Sequence, residues 1–109
     1  VTARGRAAGL ALVLATAACG GAGPAPRTRA VAIRAFRYVP ARVEAAVGDT
    51  LVWSNRDVVP HTATADGGGW DTGSIPAGGE GRVVVRRSGR QGYVCAFHPN
   101  MKGVLVVRE

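Results

Sequence analysis

A chain of 109 residues holds one domain at most, and its first third offers little to bury. Fourteen Lys and Arg against seven Asp and Glu leave a formal charge of +7, spread without a block. No nucleic-acid-binding module accompanies the excess, so nucleic acid is excluded as a partner; scattered charge of this kind reads first as solvated surface, with steering toward an acidic partner or an anionic surface as the functional alternative.

Arg4 and Arg6 precede an apolar, alanine-rich run over residues 7–18, the pattern of a secretory signal peptide (1–18). The run is too short to span a bilayer. Ala17-Ala18-Cys19-Gly20 resembles the end of a bacterial lipobox, in which the Cys is lipidated and becomes the new N-terminus. Ordinary cleavage after Ala15-Thr16-Ala17 is the alternative. Lipidation at Cys19 is favoured, because it accounts for an otherwise unexplained Cys. Either route exports the chain, to the periplasm or the outer cell surface. Residues 19–29 are rich in Gly, Ala and Pro and read as a flexible tether, so contact with the membrane is expected through the lipid alone. With Cys19 in this leader and Cys95 far downstream, no disulfide is expected.

Residues 30–109 change character to short β-like runs broken by turns. Val31, Ile33 and Ala35 alternate with Ala32, Arg34 and Phe36. Tyr38-Val39-Pro40-Ala41 punctuates, and residues 42–47 form the next strand. Gly48-Asp49 turns the chain into Thr50-Leu51-Val52-Trp53-Ser54-Asn55. The segment 58–65 carries His61 at a strand start. Residues 67–79 are loop-rich, and runs at 82–86, 91–95 and 104–107 complete the set. About seven to eight strands without helical periodicity predict an all-β fold, an antiparallel sandwich.

The chemistry concentrates in Cys95-x-x-His98-x-x-Met101, a short loop between Gly92-Tyr93 and Gly103. Cys and Met are more often plain core, and a lone loop His is more often solvated. Here a sharp turn between two apolar strands brings thiolate, imidazole and thioether to one point. That donor mixture suits copper, and a blue-copper site needs one more imidazole. His61 is the only other histidine, 34 residues upstream. In a sandwich, distant strand ends meet at one pole, where it can close the set.

At these residues the chain resembles the small cupredoxins, plastocyanin and more nearly amicyanin. The resemblance runs from Val31 to Val107 and includes Gly48-Asp49-Thr50-Leu51-Val52-Trp53-Ser54-Asn55, Pro60-His61-Thr62, Trp70-Asp71-Thr72-Gly73 and Gly92-Tyr93-x-Cys95-x-x-His98-x-x-Met101-x-Gly103. It implies a Greek-key β-sandwich holding one type 1 copper ion through His61, Cys95, His98 and Met101. It also implies a monomeric one-electron carrier between redox protein partners. Thr62 and Pro60 flank the ligands; at Thr62 both relatives carry Asn, which ties the ligand loop to the pole near the Cys sulfur. Phe97 replaces a Pro. Phe97, Pro99, Val58 and Val59 would ring His98 as an apolar docking patch.

Three other readings compete. An enzyme is disfavoured, since oxygen or nitrite chemistry needs further histidine-rich centres and a hydrolytic zinc site has no carboxylate in the loop. Copper trafficking or storage in the cell envelope is the alternative function, although exchange sites are usually richer in Met or Cys than this one. A metal-free adhesion module leaves the four donors unexplained.

Overall fold

The computed structural model describes residues 24–109, together with Gly9, Ala11 and Leu12. Cys19 and most of the expected signal peptide and tether lie outside the described residues. Among the described residues eight strands form and no helix: β1 Thr28–Arg34, β2 Arg37–Val39, β3 Arg42–Ala46, β4 Thr50–Asn55, β5 Thr64–Ala65, β6 Glu80–Val84, β7 Gly89–Val94 and β8 Lys102–Arg108. β1 begins two residues inside the stretch read as tether.

Alternation decides which side of each strand is buried. Val31 and Ile33 of β1, Val43 and Ala45 of β3, and Leu105 and Val107 of β8 point inward, with exposed or half-buried residues between them. The inward rows belong to two four-stranded sheets, ordered β2-β1-β4-β6 and β3-β8-β7-β5. Trp53 and Tyr93, one from each sheet, are fully buried at the centre of the core. Their rings meet edge to face at 5.5 Å, and Trp70 packs against both. Aromatics of this size each remove roughly 150–250 Å² from water, so this trio dominates the core.

The all-β sandwich is as expected, but its sheets are mixed. β1 runs parallel to β4, and β3 parallel to β8, while the remaining pairs are antiparallel. Residues 40–41 carry the chain from one sheet to the other, so β3 joins β8 instead of folding back on β2.

Two local expectations give way. Ala35 does not continue the first strand: Ala35 and Phe36 both adopt positive φ, and they reverse the chain into β2. The segment carrying His61 is also not a continuous strand. Pro60 has no N–H to offer a ladder, and the buried Asn55 takes the carbonyls of Val59 and Ile75 with its side-chain amide. Only Thr64–Ala65 remains a strand, and His61 makes an isolated bridge with Ile75.

Candidate metal centre

The short segment 61–65 is clamped from both sides, and this fixes His61. On one flank, His61 and Ile75 exchange both backbone hydrogen bonds, at 3.1 and 2.7 Å. Ala63 donates to the Thr72 hydroxyl and accepts from the Thr72 amide, and Ala65 donates to the Trp70 carbonyl. On the other flank β5 pairs with β7, the strand that runs into Cys95. The motif Trp70-Asp71-Thr72-Gly73 therefore serves as the rail along which the His61 segment lies.

The ligand loop is held by its own backbone. His98 N–H donates to the Cys95 carbonyl, Met101 N–H to that of His98, and Cys95 N–H to that of Met101. These bonds fold residues 95–101 into a tight turn with Cys95 and Met101 buried at its base and His98 half-buried at its rim.

Side chains of three residues converge there. Cys95 Sγ lies 3.7 Å from His61 Nδ1 and 3.7 Å from His98 Nδ1. One ligand atom from each of His61, Cys95 and His98 falls within 4.8 Å of the others. Cys95 is a free, buried thiol, so it is available as a thiolate ligand. One sulfur and two imidazole nitrogens at these separations fit the trigonal His₂Cys set of a blue-copper ion. Met101 belongs to the same core cluster as Cys95 and lies at the end of the same turn.

Around these donors, Thr62 occupies the position expected to carry Asn, and it performs both tasks. Its amide donates to Cys95 Sγ at 3.3 Å, and its hydroxyl accepts the Ala96 amide at 2.8 Å. The Tyr38 hydroxyl, from β2, donates to the Thr62 carbonyl. Burial, then the neighbouring Cys95 and Tyr93, push the Tyr38 phenol well above its ordinary range, and burial lifts Tyr93 to about 12. Both therefore stay neutral at any physiological pH.

Two residues escaped the sequence reading. Asp57, whose side chain is 12% exposed, accepts a hydrogen bond from His61 Nε2 at 2.8 Å. A carboxylate only accepts, so Nε2 carries the proton and Nδ1 is left to face the sulfur. The carboxylate missing from the ligand loop thus arrives behind His61, from four residues upstream. Burial works against the charge on Asp57, but hydrogen bonds from Phe36, His61 and Ala35 prevail and hold its carboxyl below the ordinary value. Phe36 is the second. Its ring stands nearly perpendicular to those of His61, 5.2 Å away, and His98, 4.9 Å away. A carboxylate four residues before a histidine was a visible signal; Phe36, 25 residues from His61, had none.

Phe36, Val58 and Phe97 are 48%, 92% and 51% exposed. Pro60 and Pro99 are exposed as well, while Val59 is half-buried. No helix among the described residues is long and apolar enough to cross a membrane.

No family model matches the chain, and no curated protein matches it in sequence. Solved structures do. A reduced single-substitution variant of amicyanin superposes with a TM-score of 0.68 at 24% identity, over 74% of this chain and 82% of that one. A novel purple cupredoxin from Nitrosopumilus maritimus gives 0.66 at 27% identity, over 72% of this chain and 98% of that one. A copper-containing nitrite reductase from Thermus scotoductus SA-01 gives 0.67 at 29% identity over 81% of this chain, which spans only 23% of that protein. The mixed-sheet sandwich, these likenesses and the converging His61, Cys95 and His98 give the chain a cupredoxin-like fold whose pole fits one type 1 copper ion.

Proposed function

We propose that the protein is an exported one-electron carrier, with copper held by His61, Cys95, His98 and Met101. The observation that carries this reading is the convergence of a buried thiol and two imidazole Nδ1 atoms, each 3.7 Å from the sulfur. Copper bound there would supply a Cu(II)/Cu(I) couple. The chain's own part is rigidity. The Thr62 amide on Sγ, the loop bonds among Cys95, His98 and Met101, and the Asp57 bond behind His61 keep the donors in place whatever the charge state. A donor set that does not rearrange leaves little to reorganise when one electron arrives.

His98 is the ligand nearest solvent, and Phe36, Val58, Phe97 and Pro99 give the pole an apolar surface around it. The turns that carry this surface also bear exposed Arg34, Arg37 and Arg56, and their sole acidic residue, Asp57, is already engaged. An apolar contact flanked by arginines suits a redox protein with an acidic rim. Export, and attachment through lipidated Cys19, rest on the leader sequence. Membrane-fraction recovery of the wild type, and its loss in Cys19→Ser, test the anchor.

The test of function is a Cu(II) titration of the chain followed optically and by voltammetry. An intense blue or purple thiolate-to-copper band, reversible one-electron cycling and retained metal are expected. Cys95→Ser abolishes the band. A colourless copper-saturated protein, or rapid loss of Cu(I) to a chelator, would replace the carrier with a trafficking or storage role.

A further inference from the structure

The turn between β1 and β2 is built from residues ill suited to it. Ala35 and Phe36 have φ of 51° and 59°, the left-handed region in which a Cβ is disfavoured. A two-residue hairpin turn with both φ positive ordinarily takes Asn-Gly. Backbone of this kind persists only where its surroundings over-determine it, and such sites cluster at functional centres.

Here a single carboxylate does the holding. Asp57 Oδ1 accepts the Ala35 amide at 2.7 Å, and Oδ2 accepts the Phe36 amide at 2.9 Å. The same Oδ2 accepts His61 Nε2–H at 2.8 Å. Asp57 is itself fixed, because its amide donates to Asn55 Oδ1 and the Asn55 side-chain amide is anchored on the Val59 and Ile75 carbonyls. One outcome of this arrangement is the place of the Phe36 ring. It meets His61 and His98 nearly at right angles, 88° and 85° between planes, while half of the residue remains exposed. Glycine at position 36 would suit the backbone better, so what Phe36 contributes to this turn is its ring.

We propose that Asp57 is a positioning residue of the metal centre and that the Ala35–Phe36 turn is a brace it locks against both histidines. Asp57 fixes the tautomer and plane of His61 from behind. Through the two amides it also seats Phe36 so that its ring blocks rotation of the His98 ring away from Cys95. Partners behind a metal-binding histidine typically change metal affinity about 10- to 100-fold. In this chain one carboxylate acts on both imidazoles, directly on His61 and by way of Phe36 on His98. The proposal rests on the copper reading for its consequence, though not for its geometry.

Phe36→Gly and Asp57→Ala, made in the full chain, test it with three measurements. These are denaturant stability without metal, amide exchange at positions 35 and 36 without metal, and copper release to a chelator. Phe36→Gly is expected to leave the metal-free protein as stable as the parent or more so, since glycine adopts this φ freely. It should nevertheless release copper about 10-fold faster. Asp57→Ala is expected to accelerate exchange of the Ala35 and Phe36 amides at least ~10-fold in the metal-free protein, and copper release by about 10-fold. Parental copper release from Phe36→Gly, or a loss of its metal-free stability, overturns the brace. Unchanged amide exchange in Asp57→Ala overturns the latch. A wild type that takes up no copper defeats the copper reading alone, and the metal-free measurements still decide whether Asp57 holds the turn.

Discussion

Thr62 and Cys95 are joined by an N–H···S hydrogen bond of 3.3 Å across 33 residues of sequence. The bond uses the backbone of Thr62, which frees its side chain for a second purpose. The hydroxyl accepts the Ala96 amide at 2.8 Å and lies 2.9 Å from the Thr64 hydroxyl. A residue shorter than the expected Asn thus ties the ligand loop to the His61 segment twice.

Thr62→Val separates the two bonds. The amide to Cys95 survives, but the Ala96 N–H loses its acceptor, which costs about 1–3 kcal/mol when no water replaces it. Thr62→Ser keeps both bonds. Urea unfolding is expected to show the loss in the valine variant and near-parental stability in the serine one, with the copper colour retained in both.

Met101 is nearly fully buried and shares the core cluster with Cys95. Met101→Leu conserves most of the volume, a swap that ordinarily costs less than about 1.5 kcal/mol. It removes the thioether proposed as the fourth donor, which would tune the potential of such a site. The expected result is a protein that folds and colours with Cu(II) yet shows a shifted reduction potential by voltammetry. A wild-type potential would remove Met101 from the ligand set.

Gly103 on β8 lies directly opposite Tyr93 on β7, and a methyl group there would overlap the buried phenol ring. Tyr93 cannot yield, because its ring is wedged among Trp53, Trp70 and Tyr38. Gly103→Ala is therefore expected to cost roughly 1–3 kcal/mol by overpacking. At Gly92 the atom in the way belongs to the exposed Asp66 side chain, which can turn aside. Gly92→Ala should cost clearly less, and thermal denaturation of the pair measures the difference.

Asp49 links the start of β1 to the turn before β4. It accepts the Arg27 amide at 2.8 Å, the Ala46 amide at 2.9 Å and Arg29 Nε at 3.2 Å. The Ala46 and Arg27 amides, and then the Arg29 guanidinium, outweigh burial and hold its carboxyl below the ordinary value. A carboxyl lowered by folding adds stability that is complete above its unfolded pKa of ~3.9 and is lost as the pH falls through the lower folded value. Acid unfolding should therefore steepen below about pH 4. Asp49→Asn is expected to be less stable at neutral pH and to show a flatter acid limb. Parallel pH–stability curves for the two proteins would remove Asp49 from that role.

Much of the centre was legible because its determinants are local. Cys95, His98 and Met101 occupy one seven-residue turn, and the spacing alone predicts that they share a site. The strands at 42–46 and 102–108 bury one side against the core, whereas 50–55 buries Leu51, Val52 and Trp53 in succession. Mixed pairing was not visible. Whether β3 lies beside β2 or beside β8 depends on which sheet residues 40–41 enter, and alternation is the same in either case.

The remainder depended on approach in three dimensions. Periodicity carried Ala35 and Phe36 into the first strand, because positive φ at two residues with Cβ has no signal in propensity. Asp57, 21 and 22 residues away, accepts both amides of that turn. The donor types, their loop and an all-β fold are properties of neighbouring residues and of period-two burial, and so could be read along the chain. That a carboxylate stands behind His61 and an aromatic ring meets both imidazoles emerged from the fold, because hydrogen bonds and ring contacts of a few ångströms between distant segments depend on how two sheets close at one pole.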